Sequence, residues 1–145
     1  QGSLSIEQTT AIVKCLTDKG YHILLNGDKQ RLASVLDNST FNNIIDGKEF
    51  SFPEYTWLVN ECSLVVTVNT SIYHFALQLQ KPCVVISANE YETIKLDAPN
   101  QEIVFNIELQ EAFEKGELMS YEKTSTKRID DIECNRIAAA CLSLS

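Results

Sequence analysis

The chain has 145 residues, 44% apolar and 22% charged, ordinary values for one globular domain that exclude a disordered or fibrous polymer. Twelve Lys and Arg against twenty Asp and Glu give a formal charge of −8, which opposes non-specific binding to nucleic acid or an anionic membrane. A small phosphorylated ligand is still allowed, because helix N-termini and backbone amides hold a phosphate without a basic surface.

No apolar run approaches the roughly 20 residues of a transmembrane helix, and no charged-then-apolar leader opens the sequence, so a soluble domain is expected. Gln1-Gly2-Ser3 reads as the remnant of a cleavable tag. Residues 4–145 are then one α/β domain, and entry into a helical pattern without a Met points to a piece cut from a longer protein. The five cysteines are odd in number, lack any CxxC spacing and sit among apolar neighbours, as reduced core thiols of a cytoplasmic protein would.

In chain order, Ile6, Ile12, Val13 and Leu16 recur at helical spacing across residues 5–19, and Gly20 supplies a stop. Residues 21–25 form a short apolar run, read as a buried strand that ends at the turn Asn26-Gly27-Asp28. Asp28 is placed to cap a short helix over 29–36. Residues 41–45 are a weaker strand, and Pro53 opens a helix with an apolar stripe of Tyr55, Leu58 and Val59.

The β-branched run 64–68 is the clearest strand and is expected at the centre of a parallel sheet. After the polar loop Asn69-Thr70-Ser71, the residues Ile72, Phe75, Ala76 and Leu79 predict a helix packed on the sheet and ended by Pro82. A second buried strand covers 83–86 and opens into Ser87-Ala88-Asn89-Glu90. A further strand is predicted over 103–107, an acidic helix over 108–115 and a closing helix over 127–142. Strands alternating with helices predict a Rossmann-like α/β fold, a parallel sheet with helices on both faces.

In such sheets ligands bind beyond the carboxyl ends of the strands, where loops feed helix N-termini. The loop at 69–71 suits an anion best, because it sets the hydroxyls of Thr70 and Ser71 at a helix start. His74 falls one turn in, away from the apolar stripe, where it can reach a diphosphate or sugar, or simply bond a neighbouring loop. Gly27, Asp28 and Lys29 in the first loop could approach a ribose or base, the alternative being helix capping by Asp28 and solvation of Lys29. Ser87 and Asn89 could line the same crevice or only satisfy their turn. The set Glu108, Glu111, Glu114 and Glu117 has no clustered His or Cys and reads as a solvated helix face, so no metal site is expected. Tyr21 and His22 read as packing residues, and Cys134 and Cys141 as core.

The stretch 57–76 resembles a segment of family nine of the GT-B glycosyltransferases, the ADP-heptose:lipopolysaccharide heptosyltransferase-like enzymes. There the order is helix, a turn of small residues, strand, Asp-Thr-Gly, two residues, His, an apolar residue and Ala, matched here by Asn69-Thr70-Ser71, His74, Phe75 and Ala76. The following helix, Pro82 and strand also fit, as do Gly20, Gly27, Gly47 and Lys48 upstream, so the resemblance spans residues 11–88.

It implies the C-terminal half of a GT-B fold, binding a nucleotide-diphosphate sugar with Asn69, Thr70, Ser71 and His74 on the diphosphate and sugar, and with no metal cofactor. Gly27, Asp28, Lys29 and Ser87 would stand near the nucleotide. The acceptor and the catalytic base would come from a missing N-terminal domain, so no catalytic residue is assigned and the fragment alone binds without transferring sugar. The implied role is cell-surface glycan or lipopolysaccharide synthesis by a cytoplasmic enzyme that meets the inner membrane only through the missing half. The sequence departs from the pattern in having Asn69 for Asp and Ser71 for Gly. Those departures support a rival reading as a non-catalytic binding module, and a GT-B sugar-nucleotide epimerase is a second rival.

Overall fold

The computed structural model describes residues 3–35, 43–45, 49–68, 71–87, 101–105, 107–116 and 128–144. Helix α1 spans Ile6–Asp18 and begins with a capping box, in which the Ser5 hydroxyl accepts from the Gln8 amide while Gln8 Oε1 accepts from the Ser5 amide. At the other end Gly20, at φ +89°, and Tyr21 return their amides to the carbonyls of Thr17 and Leu16. Because Tyr21 is still engaged in closing the helix, strand β1 starts only at Leu24 and runs Leu24–Asn26, rather than over 21–25. It is also half exposed, not buried, and of the two residues read as packing ahead of it Tyr21 packs on the core while His22 is exposed.

Asp28 caps the short helix α2, Lys29–Leu32, and strand β2 follows at Asn43–Ile45. Residues 36–42 and the loop 46–48 lie outside the described residues. Helix α3, Phe52–Glu61, has Pro53 in its first turn and a second capping box between Ser51 and Glu54.

Strand β3 is Val65–Val68 and helix α4 is Ser71–Gln78. Before Pro82 is reached, α4 is already ended by Gln80 at φ +55°, whose amide bonds Leu77 O while that of Lys81 bonds Ala76 O. Strand β4 is Cys83–Ser87, and β5, Gln101–Phe105, sits two residues earlier than its sequence pattern suggests. Helix α5 is Ile107–Glu114; Glu108, Glu111 and Glu114 are exposed on it, and Glu117 lies outside the described residues.

The expected single closing helix is two pieces: a 3-10 turn at Ile129–Asp131 and helix α6 at Cys134–Leu144. The break has a tertiary cause. The fully buried Gln8 side chain donates from Nε2 to both Ile129 O and Ile132 O at 2.8 Å, and Ile132 is extended at ψ 131°. The two carbonyls are thereby held to α1 around the extended Ile132, where the backbone leaves helical geometry, although Ile129 O still accepts from the Ile132 amide at 3.1 Å.

All strands pair in parallel, as β1–β2 and as β3–β4–β5. The centre of the three-stranded sheet is therefore β4, every residue of which is buried, and not the run at 64–68. Its side chains alternate between two cores. Val84 and Ile86 meet Ile12 and Leu16 of α1 and Ile137 and Cys141 of α6, whereas Cys83 and Val85 meet Val59 of α3 and Tyr73 and Ala76 of α4. Helices thus cover both faces, as a parallel sheet requires. A third cluster, Val13 with Leu32 and Val35, ties α1 to α2 beside β1 and β2, so α1 spans both sheets. Among the described residues no helix is long and apolar enough to cross a membrane.

Two outcomes follow from this packing. Gln8→Leu removes the side-chain donor from both carbonyls, of which Ile129 O keeps the Ile132 amide, and removes one arm of the α1 capping box; it is expected to lower the free energy of unfolding in urea by about 2 kcal/mol. Exposed Lys14→Ala is expected to change it by less than about 0.5 kcal/mol.

Burial pushes the thiols of Cys83 and Cys141 up from 9.0 to about 12. Unfolded thiols ionise above about pH 9 while these two stay protonated, so their contribution to stability is constant below that pH and falls progressively toward about pH 12. Denaturation at about pH 8, 9.5 and 11 should show that fall, and Cys141→Ala should reduce it by about half, Cys83 keeping the rest.

Candidate functional site

Strands β1 and β3 face each other across a cleft of about 460 Å³. Its walls are mainly apolar, with Leu24 and Leu25 on the β1 side and Leu64, Val66 and Val68 on the β3 side. The sheets are arranged as β2–β1, then the cleft, then β3–β4–β5, so the chain winds away from the cleft in both directions. Such a reversal of strand order is where open α/β sheets hold ligands.

The carboxyl ends of both strands reach the cleft. Asn26 and Gly27 stand on one side; Val68, the last residue of β3, and Ile72, in the first turn of α4, stand on the other. Helix α3 supplies Tyr55, Leu58 and Val59, and Thr9 of α1 closes the far wall.

Polar groups are few. Asn26 Nδ2 donates to the Tyr55 hydroxyl, joining β1 to α3 at the cleft wall. Burial, with the Cys62 thiol adding to it, raises the Tyr55 phenol, so it keeps a proton to donate. Arg31 is the lone charged residue of the lining among the described residues; its Nη2 donates to Leu4 O at 2.7 Å, and the rest of its guanidinium fork is available. Among the described residues no Asp or Glu lines the cleft.

The residues singled out from sequence fall as follows. Ser71 is the first residue of α4, at the cleft's edge next to Ile72, while Asn69 and Thr70 lie outside the described residues. His74 stands on the exposed face of α4, its ring 5.3 Å from that of Tyr73 and outside the cleft lining. Tyr73 itself is fully buried in the core that α3 and α4 form on β4, with its hydroxyl accepting from Gln101 Nε2 at 2.6 Å, and it is not among the residues that line the cleft.

Gly27 lines the cleft, but its amide already donates to Ile45 O at 3.0 Å, and a Cβ there would stand 2.9 Å from Leu32 Cδ1. What Gly27 offers a ligand is therefore close approach, not an N–H. Asp28 accepts from the Arg31 amide at 2.9 Å as a helix cap, and Lys29 is exposed beside it. Ser87 is fully buried at the end of β4, and Asn89 lies outside the described residues.

Sequence reasoning passed over Tyr55 and Arg31, whose role in the cleft depends on how α3 and α2 lie against β1; nothing in their local spacing announces it. Among the described residues there is no group of three or more His, Cys, Asp or Glu able to hold a metal.

No protein-family profile matches the sequence, and no curated protein does. Two solved structures do match in shape: an ADP-heptose lipopolysaccharide heptosyltransferase II from E. coli, at TM-score 0.67, and a glycosyl transferase of family 9 from Veillonella parvula, at 0.69. Each is 16% identical and is matched over 97% of this chain, which spans 41% of the length of those proteins. The chain thus has the α/β fold found in these glycosyltransferases, over the two-fifths of them that it spans.

Proposed function

We infer that this chain is the donor-binding, C-terminal half of a GT-B glycosyltransferase of the family 9 type, and that the β1–β3 cleft takes a nucleotide-diphosphate sugar. The observation that carries the reading is electrostatic. In a chain with twenty acidic residues and a formal charge of −8, the cleft at the carboxyl ends of β1 and β3 is lined by Arg31 and by no carboxylate among the described residues. Anionic ligands are favoured where like charge has been kept out.

The apolar inner walls suit a base, and the loop at 69–71 with the first turn of α4 suits the diphosphate. In this reading Thr70 and Ser71 donate to phosphate oxygens, Asn69 holds the turn, His74 reaches the sugar from the exposed face of α4, and Gly27, Asp28 and Lys29 border the nucleotide. Transfer needs no metal here. The acceptor site and the base belong to the part of the protein beyond this chain, and the product belongs to cell-surface glycan or lipopolysaccharide synthesis. A second reading, a module that binds the same ligand without chemistry, is favoured specifically by Asn69 and Ser71 standing where the resembled motif has Asp and Gly.

The test is a thermal-shift panel of ADP, UDP, GDP, CMP and their sugars. One of them at ten times its Kd should add about 1.4 kcal/mol, which raises the Tm of a domain this size by about 3–6 °C. Arg31→Ala should reduce that shift without lowering the Tm of the free protein. A panel in which no nucleotide moves the Tm sinks the reading. In the two-domain protein, sugar transfer recovered by the double change Asn69→Asp, Ser71→Gly, and absent before it, would decide for the second reading.

A further inference from the structure

Helices α1 and α6 lie side by side on one face of β4, and two hydrogen bonds fix their register and their common direction. Gln8, in the first turn of α1, reaches Ile132 O just ahead of α6. The Cys15 thiol, two turns further along α1, donates from Sγ to Ala138 O at 3.7 Å, in the first half of α6. A side chain of one helix that touches the backbone of the other marks a close approach, and the small Ala138 at the contact permits it.

That register brings Cys15 to Cys141. In an α-helix the carbonyl of residue i points toward residues i+3 and i+4, and a side chain leans back over the turn before its own, so the space beside Ala138 O is bordered by Cys141. Cys141 is fully buried in one cluster with Ile12 and Leu16 of α1, and Cys15 packs against that cluster. The two thiols also feel each other: burial first, and then the neighbouring Cys15, push the Cys141 thiol up to about 12.

The other three cysteines stand apart from this pair. Cys62 and Cys83 belong to the core on the opposite face of β4. Cys134 is one residue in seven back along α6, about 10.5 Å from the level of Cys141, where burial and then the carboxylate of Glu7, at the start of α1, raise its thiol.

We propose that Cys15 and Cys141 are a redox pair, which hydrogen peroxide converts from two thiols to one disulfide that fastens α1 to α6. The Cys15 thiolate attacks one peroxide oxygen, the O–O bond breaks, and the leaving hydroxide takes up the thiol proton as water, which leaves a sulfenic acid on Cys15. The Cys141 thiolate then attacks the Cys15 sulfur, forming the S–S bond and expelling the hydroxyl, which leaves with the Cys141 proton as a second water. Two thiols are oxidised and one peroxide is reduced. Cys15 is half-buried and meets the oxidant, whereas Cys141 has no exposure and is reached only from within the protein. Both thiols are raised and hold little thiolate at neutral pH, so closure is slow and follows sustained exposure to oxidant.

Closure changes the hold on the whole domain. Helix α1 packs on both groups of strands and carries Thr9 to the cleft wall, and the disulfide would tie it to the last helix of the chain. The two cysteines are more than 120 residues apart, and closing so long a loop removes much of the entropy of the unfolded chain. The pair lies outside the cleft lining, whatever ligand the cleft takes.

To test this, the chain is incubated at mildly alkaline pH with excess hydrogen peroxide, blocked with iodoacetamide and digested with trypsin without reduction. The peptides 15–19 and 137–145, each with a single cysteine, are expected as a linked pair in mass spectra of protein that runs as a monomer. The oxidised chain should unfold about 5–10 °C above the reduced one, and dithiothreitol should remove both signals. Cys15→Ser, at a half-buried position, should leave the Tm of the reduced chain nearly unchanged and abolish the rise on oxidation. Any of these results would overturn the proposal: Cys15 recovered unlinked or oxidised onward to sulfinic acid; Cys15 linked to a cysteine other than Cys141; the linked pair found only in a covalent dimer; or the same rise in Tm in Cys15→Ser.

Discussion

A parallel strand with no exposed residue has to be covered from both sides, and β4 imposes that condition on everything around it. Its five residues send Val84 and Ile86 to one core and Cys83 and Val85 to the other. Neighbouring strands inherit the alternation through register, since Val66 pairs with Val84 and Val65 with Cys83. With α1 and α6 on one face and α3 and α4 on the other, loops can meet a ligand only at the strand ends or where the sheet parts. It parts between β1 and β3. The cleft is thus a consequence of burying β4 on both faces while α1, packed on both sheets, holds the two groups of strands together.

The elements that were legible in the sequence are those whose cause is local. Helix α1 ends where Gly20 permits a positive φ, α3 starts at Pro53 behind its cap, and β4 follows Pro82 as an apolar run. The readings that shifted had distant causes. The closing helix is broken at the extended Ile132, where Gln8, more than 120 residues away in sequence, holds the carbonyls of Ile129 and Ile132. The rank of the strands was misjudged because the run 64–68 and β4 look equally apolar, and only pairing reveals that β3 borders a cleft while β4 is enclosed. Tyr73 is similar. Its spacing assigns it to no apolar stripe, yet it is fully buried because its hydroxyl meets Gln101 of β5.

Half of the candidate site was visible in the same way. The turn after β1 could be found from Asn26-Gly27-Asp28, because turn and capping residues carry their own local chemistry, while Asn69 and Thr70 lie outside the described residues. What those residues are free to do was not visible. The amide of Gly27 is committed to Ile45 and the carboxylate of Asp28 to the Arg31 amide, both fixed by pairing and helix formation. Tyr55 and Arg31 enter the cleft from helices whose positions no local pattern sets.

An acidic domain that takes a diphosphate must rely on short-range dipoles, because its net field is repulsive. Salt limits that repulsion to about 8–10 Å, so what matters is which groups stand inside that radius. Around the cleft these are a guanidinium, a protonated phenol and the first turn of α4, where a helix leaves amides without intrahelical partners. On the proposed reading, with the diphosphate beside residues 69–71, Asn69 in place of a carboxylate would have opposite effects on binding and on chemistry. Removing a negative charge near a diphosphate relieves repulsion in the bound ground state. It also removes a fixed charge that could act only as the donor's bond breaks, and interactions made in the transition state alone are those that set turnover. On that reading Asn69 and Ser71 would separate affinity from rate, and a chain selected only to hold the nucleotide sugar would lose nothing by the exchange.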